Sequence, residues 1–188
     1  MPRPPRIGTD AIVNTALALL DEQGTAALTM RHLAARLQVR APSLYHHVAG
    51  KAELQQLVAD SVWAEVFAGL GTDLAWRPLL EGFARRARRA LRAHPGAAQV
   101  LAVTNVSEAT YRPVVPVVTR AFEAVGTDPQ EALHLVSSLG VLVTGLALAE
   151  FGDAPNPPVA PRDYYDHWFE LAVGTFLDGV AARHETGS

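Results

Sequence analysis

The chain is predicted to be all-α, and three observations carry that assignment. No stretch alternates apolar and polar residues with period two for long enough to make a half-buried strand. Apolar residues instead recur at three- and four-residue spacing along almost the whole length, and helix start and stop residues sit at the ends of those runs. The composition agrees: 49% hydrophobic and 19% charged residues over 188 positions mark a globular chain, long enough for a small head on a larger body. About nine helices are expected.

The first runs from about Thr9 to Gln23, with Ile12, Ala16, Leu19 and Leu20 on one face, Thr9 or Asp10 as N-cap and Gly24 as the stop. The second opens at Thr29, with Leu28 and Leu33 placed as a hydrophobic staple, and ends near Leu37. Only Gln38, Val39 and Arg40 separate it from a short third helix over 42–46, where Pro42 takes the first helical position. Two helices joined by so short a turn, the second short and polar-faced, form a helix-turn-helix. Leu33, Leu37, Val39 and Leu44 are expected to pack inward, leaving Arg40, Ser43, Tyr45 and a histidine of the His46-His47 pair outside. The turn lacks a glycine; Gln38 stands there. Ala49-Gly50 breaks the chain before a long fourth helix that begins near Lys51, with Glu53 in its first turn.

Charge is distributed unevenly. The net −3 divides into +3 over residues 1–51, which hold Arg3, Arg6, Arg31, Arg36, Arg40 and Lys51, and −6 over the rest. A basic head on an acidic body suits a phosphate-binding module joined to a non-binding domain, the alternative being chance scatter in a short window. With no cysteine there is no disulfide or thiolate metal site. The N-terminus has no apolar core of a signal peptide, so the cytoplasm is the expected compartment. The apolar stretch 133–151 contains His134, Ser137, Ser138, Thr144 and Glu150 and reads as a buried helix rather than a membrane span. No Gly-rich phosphate loop or His/carboxylate ligand spacing marks an enzyme, and no metal or other cofactor is expected. Adjacent His46 and His47 diverge on a helix and make a poor metal pair. His134 and His167, alone in apolar helices, are expected in core or pocket hydrogen bonds.

The run ALALLDEQG over 16–24, LTMRHLAARLQV over 28–39, APSLYHHV over 41–48 and then Lys51 together resemble the tetracycline-repressor (TetR) family. The resemblance is strong over about residues 7–65. Trp76, the segment Arg92 to His94 and residues 132–150 are most similar to its tetracycline-repressor branch. It implies a DNA-binding head over 1–51, a ligand-binding and dimerisation domain over 52–188, and a ligand-responsive repressor that binds a palindromic double-stranded operator as a homodimer. Thr29, Ser43, Tyr45, His47 and Lys51 fall where the family contacts phosphate. Arg31, Arg40, Ala41, Pro42 and Tyr45 fall where it reads base edges or thymine methyls, an arginine suiting guanine O6 and N7. His46 is assigned to general groove contact. The alternatives are a core aromatic for Tyr45 and a solvated charge for Arg31.

In the body, residues 76–93 form a fifth helix whose Arg85-Arg86 and Arg88-Arg89 read as a solvated face or a second basic patch. His94-Pro95-Gly96 breaks the chain, a short segment runs to Val103, and a seventh helix begins near Pro113 and Pro116 and ends at Gly126. Asp128-Pro129 caps and opens an eighth helix over 130–151, and a Gly-Pro-rich loop leads to a ninth over 162–182. Trp168, Leu171, Ala172, Thr175, Phe176, Gly179 and Val180 make one stripe on it and Phe169, Val173 and Leu177 a second, so it should be buried on two sides. Small Ser137, Ser138, Gly140 and Gly145 on the eighth permit close approach. Pairing of these two helices with their symmetry mates is what the resemblance implies, with core burial inside one monomer as the alternative. The resemblance also places a small-molecule effector among the fourth to eighth helices, making Trp63, Phe67, Phe83, Leu101, Thr104, Asn105, Tyr111 and His134 candidate ligand contacts, each otherwise plain core. The family histidine that holds a magnesium–tetracycline chelate aligns close to Leu101, so a mostly apolar organic molecule with one or two hydrogen bonds is expected instead. A ligand carrier that does not bind DNA is the competing non-enzymatic reading.

Overall fold

The structure, a computed structural model, describes residues 8–185; Arg3 and Arg6 of the basic head lie outside the described residues. Its α-helices are α1 (Thr9–Gln23), α2 (Met30–Arg36), α3 (Ala41–Leu44), α4 (Lys51–Ala68), α5 (Trp76–Ala93), α6 (Ala98–Leu101), α7 (Glu108–Tyr111), α8 (Val115–Glu123), α9 (Pro129–Phe151) and α10 (Arg162–Glu185). No strand occurs among the described residues. The single helix expected around Pro113 and Pro116 is cut: α7 passes through a 3-10 turn, Arg112–Val114, into α8. Proline without an N–H and with a ring that crowds the preceding turn accounts for the break.

Helix ends follow local chemistry with one exception. Thr29 caps α2 by accepting from the His32 N–H at 3.2 Å, and Asp128 caps α9 by accepting from Gln130 N and Glu131 N. The expected Thr9 or Asp10 cap of α1 is not made. Gly8 holds the N-cap position without a side-chain bond, and both residues lie inside the helix. Gly24 ends α1 with φ at +73°, where a Cβ would be strained. Gln38 occupies the left-handed region of the α2–α3 turn at φ +56°, doing what glycine usually does there, at a steric cost.

The head packs Ile12, Leu20, Leu28, Leu33, Leu44, Val48 and Leu54 into one fully buried cluster. Leu37 and Val39 pack against it half-buried. The 3-10 turn Pro95–Ala97 presses the body onto the end of α1. A Cβ on Gly96 would sit 2.3 Å from the Leu20 carbonyl oxygen, so only glycine allows that approach. Asp21 closes the joint: Oδ1 accepts from Gly96 N at 2.9 Å and Oδ2 meets His94 Nδ1 at 2.9 Å. Thr25 donates to Gln99 Oε1 at 2.9 Å, and Gln99 donates in turn to the Gly152 carbonyl.

In the body, α9 is long and apolar enough to cross a membrane by length and composition. Here it packs against α5, α6, α8 and α10. Its outer face and that of α10 are bare: Val141, Tyr164, Trp168 and Leu171 are 74%, 56%, 39% and 59% exposed. The second stripe of the last helix, Phe169, Val173 and Leu177, is buried as expected; the first is only partly covered.

The arginine-rich face of α5 divides: Arg85 and Arg89 are exposed, as a solvated face requires, but Arg88 departs from both expectations. Arg88 is neither solvated nor part of a basic patch. Its guanidinium lies 3.1 Å from Glu150 and 2.9 Å from Asp166, with the Phe169 ring 4.4 Å away. Arg92 bonds the same two carboxylates at 3.1 and 2.5 Å. Spacing along one helix cannot reveal carboxylates supplied by two others. Burial lowers the Arg88 pKa, with Glu150 and Asp166 opposing. For Asp166 the desolvation that would raise its pKa is outweighed by Arg92 and Arg88, and the carboxyl ends below its ordinary value.

Candidate nucleic-acid interface and ligand cavity

The helix-turn-helix places its polar residues outward because its apolar ones are consumed by the head's core. Leu44 is the inward anchor of α3 and is fully buried, while Pro42, Ser43, Tyr45, His46 and His47 are exposed and Ala41 is half-buried. Tyr45, whose alternative was a core aromatic, is 54% exposed. Arg40 is the N-cap of α3 and Arg31 lies in the first turn of α2; both are exposed, and neither joins an ion pair among the described residues. Arg36, one turn further along α2, is instead held by Glu22 at 2.5–2.6 Å. That contact lowers the Glu22 pKa, chiefly through the hydrogen bond from Arg36. Thr29 is half-exposed with its hydroxyl at the start of α2, and Lys51 is exposed at the start of α4, its Nζ 3.5 Å from the Thr25 carbonyl oxygen. Helix N-termini present free N–H groups and a positive dipole end, which favours phosphate.

A cavity of about 370 Å³ opens in the body between α4, α5, α6 and α9. Seven sequence candidates line it: Trp63, Phe67, Phe83, Leu101, Thr104, Asn105 and Tyr111. His134 does not. It is exposed on α9, its Nε2 3.2 Å from Gln130 Nε2, because position 134 faces away from the side of α9 that meets α4 and α5. His167 is exposed as well, so neither histidine sits in the core.

The aromatic side of the cavity has one orientation. Trp63 and Phe83 lie at 5.9 Å with planes 5° apart, and Phe67 lies within 6.1 Å of both at 17–21°. Gly140 brings the α9 backbone against this wall, since even a Cβ there would touch Phe83 and Trp63 at 3.6 and 3.7 Å. The polar groups are Thr104, Asn105, Tyr111, Ser137 and Thr144. Burial raises the Tyr111 phenol above its ordinary pKa, with a hydrogen bond to Ser137 opposing it, so the group is a neutral hydroxyl near neutral pH. Sequence reasoning missed the contribution of α9 to the lining. Ser137, Val141, Thr144 and Leu148 recur at three- and four-residue spacing, a signal that was present but read as helix packing. The lining has no imidazole or carboxylate, and hydroxyls with one amide are a poor donor set for a divalent cation, so the site does not fit a magnesium chelate.

Two hydrogen bonds tie the cavity rim to α4. Gln56 Nε2 donates to the Asn105 carbonyl at 2.9 Å, and Asp60 Oδ1 accepts from Ser107 N at 2.8 Å. The same helix begins at Lys51 and carries Trp63 and Phe67 in the cavity wall, so one rod about 27 Å long joins the two sites.

Comparison with known proteins agrees with this architecture. The family model "Bacterial regulatory proteins, tetR family" matches residues 12–57, which hold the helix-turn-helix. An HTH-type transcriptional regulator of Saccharopolyspora erythraea is 33% identical over 146 residues, covering 78% of this chain and 62% of that protein's length. The structure of a TetR variant from Acinetobacter baumannii AYE in complex with minocycline superposes with a TM-score of 0.82 at 27% identity, covering 95% of this chain and 99% of that one. BioQ bound to its natural double-stranded DNA operator superposes with a TM-score of 0.67 at 28% identity, covering 92% and 99%. Residues 12–57 thus match the tetR family of bacterial regulatory proteins, and the chain shares its fold with the solved TetR structure over nearly its whole length.

Proposed function

We propose that this protein is a ligand-responsive transcriptional repressor that binds a palindromic operator as a homodimer in the cytoplasm. Residues 1–51 form the DNA-binding unit and 52–188 the sensing and dimerising unit. The observation that carries the reading is the contrast around Arg31 and Arg40. Among the described residues both stand exposed without an ion-pair carboxylate beside the exposed Ser43, Tyr45, His46 and His47, while Arg36, on the helix of Arg31, is neutralised by Glu22. Free guanidiniums on a recognition surface suit bidentate contact with guanine, and the hydroxyls with Lys51 suit phosphate.

The bare stripes of α9 and α10 support a two-fold four-helix interface, which would also supply a second recognition helix for the other half-site. Repression would be relieved by population shift. An effector that moves the Asn105–Ser107 rim acts on α4 through Gln56 and Asp60, and α4 sets where the head lies. No catalytic role is proposed, because the cavity joins no nucleophile to a base.

Selection of bound DNA from a random pool tests this. The expected product is a palindrome whose affinity falls steeply with salt, and removal of residues 162–188 abolishes two-site binding. A salt-independent or absent DNA affinity would leave a ligand carrier as the better description.

A further inference from the structure

We propose that the protein has a second small-molecule site, for an organic monocarboxylate with a compact apolar body, where the ends of α5 and α9 meet the start of α10. The cavity there has a volume of about 480 Å³ and shares no lining residue with the one between α4, α5, α6 and α9. It adjoins the head. Ala93 in its wall precedes the His94 that meets Asp21. The loop 152–161, which supplies Pro158 and Ala160 to the lining, also lies against Gly24, where a Cβ would sit 3.2 Å from the Ala154 carbonyl oxygen.

Charge sets the sign of the ligand. Arg88, Arg92 and Arg162 form one ion cluster with Glu150 and Asp166, three guanidiniums against two carboxylates, with Arg162 reaching Asp166 only at 3.9 Å. Asp163, the next residue along, does not line the cavity, and its Oδ1 accepts from Tyr164 N. One positive charge is left over, so a singly charged anion completes the cluster and a cation is repelled. Both hydrogen bonds of Arg92 leave from Nη2, and its Nε and Nη1 make none among the described residues. No buried side-chain nitrogen or oxygen among those residues lacks a partner, so these donors are open to water where Arg92 lines the cavity. Guanidinium N–H groups hold carboxylate oxygens by short, charge-assisted hydrogen bonds. The remaining lining sets the body of the ligand. Phe151, Pro158, Ala160 and Tyr165 add no second charge and favour burial of an apolar group attached to the carboxylate.

The test is calorimetric titration of the full-length protein, without DNA and at matched ionic strength, with 4-phenylbutyrate, 4-phenylbutanol, 4-phenylbutylamine and acetate. The phenyl carboxylate binds saturably. The alcohol and amine lack its charge and acetate lacks its body, and each binds at least about tenfold more weakly. Arg162→Gln weakens 4-phenylbutyrate about threefold, as removal of an exposed charge partner should. Ala93→Phe, which puts a ring into the cavity, removes the binding. Thermal melting confirms that both variants fold. The proposal is overturned if 4-phenylbutyrate does not bind, or if the alcohol, the amine or acetate binds as tightly. It is equally overturned if the folded variants bind 4-phenylbutyrate unchanged, which would place the ligand elsewhere on the protein. With no DNA in the titration, each of these failures leaves the regulator reading standing.

Discussion

Arginine is used in opposite ways at the two ends of this molecule. Arg31 of α2 and Arg40, the N-cap of α3, are exposed and have no carboxylate within ion-pair distance among the described residues. Between α5, α9 and α10, Arg88 and Arg92 have side chains only 11% and 21% exposed and share Glu150 and Asp166. The first pair leaves its hydrogen-bonding capacity open to solvent. The second spends part of it on joining three helices. What separates an exposed, unpaired arginine from a bracing one is therefore not its local sequence but whether another element delivers a carboxylate to it.

The comparison breaks most visibly at Glu150. Its side chain is 5% exposed, and Glu150→Ala would leave Arg88 buried with only Asp166 for company. Loss of one partner of a buried pair costs about 3 kcal/mol, read as a lower urea midpoint. A midpoint within experimental error of wild type would show the cluster to be solvated after all. Arg40→Ala should act in the reverse sense, with unfolding unchanged, operator affinity reduced by roughly 1–3 kcal/mol, and one operator position relaxed in a binding-site selection. Unaltered sequence preference would remove its base-reading role.

Gln38→Gly sharpens the view that the turn between the two helices is strained by its side chain. Relief of the left-handed conformation at φ +56° is expected to raise stability by at most about 1 kcal/mol, by thermal melting, without changing DNA specificity. The smallest effect concerns pH. Because the Asp166 pKa is depressed in the folded protein by Arg92 and Arg88, its stabilisation is present above the unfolded value and lost as pH falls through the folded one. Stability should therefore decline between about pH 5 and about pH 3, and Asp166→Asn should flatten that decline by a few tenths of a kcal/mol for so exposed a group. An identical acid slope in the variant would assign the loss to other carboxylates, Glu22 among them.

The helix-turn-helix was legible from local chemistry because its signals act within a few residues. The Thr29 cap, the Gly24 stop and the brevity of the 38–40 turn are each decided by neighbouring backbone groups. The aromatic wall was legible too, since Trp63, Phe67 and Phe83 are large apolar residues on helices that had to pack. Other assignments failed for one common reason. His134 and His167 sit in apolar runs, yet their angular positions on α9 and α10 face outward, and only the packing of those helices fixes which arc is buried. The Thr9 or Asp10 cap failed although α1 starts at Thr9 as expected, because Gly8 takes the N-cap position and puts both side chains inside the helix.

Local sequence by itself determined that the chain is helical, where most helices begin and end, and that a short, polar-faced helix capped by Arg40 follows a short turn. Those properties depend on hydrogen bonds and side-chain periodicity over a turn or two. Tertiary structure alone decided that Arg88 and Arg92 are braces, that Ser137 and Thr144 face the cavity, and that Asp21 locks the end of α1 to Gly96. Each of these joins groups tens of residues apart, and the burial, charge pairing and close backbone approach that define them exist only once the helices have packed.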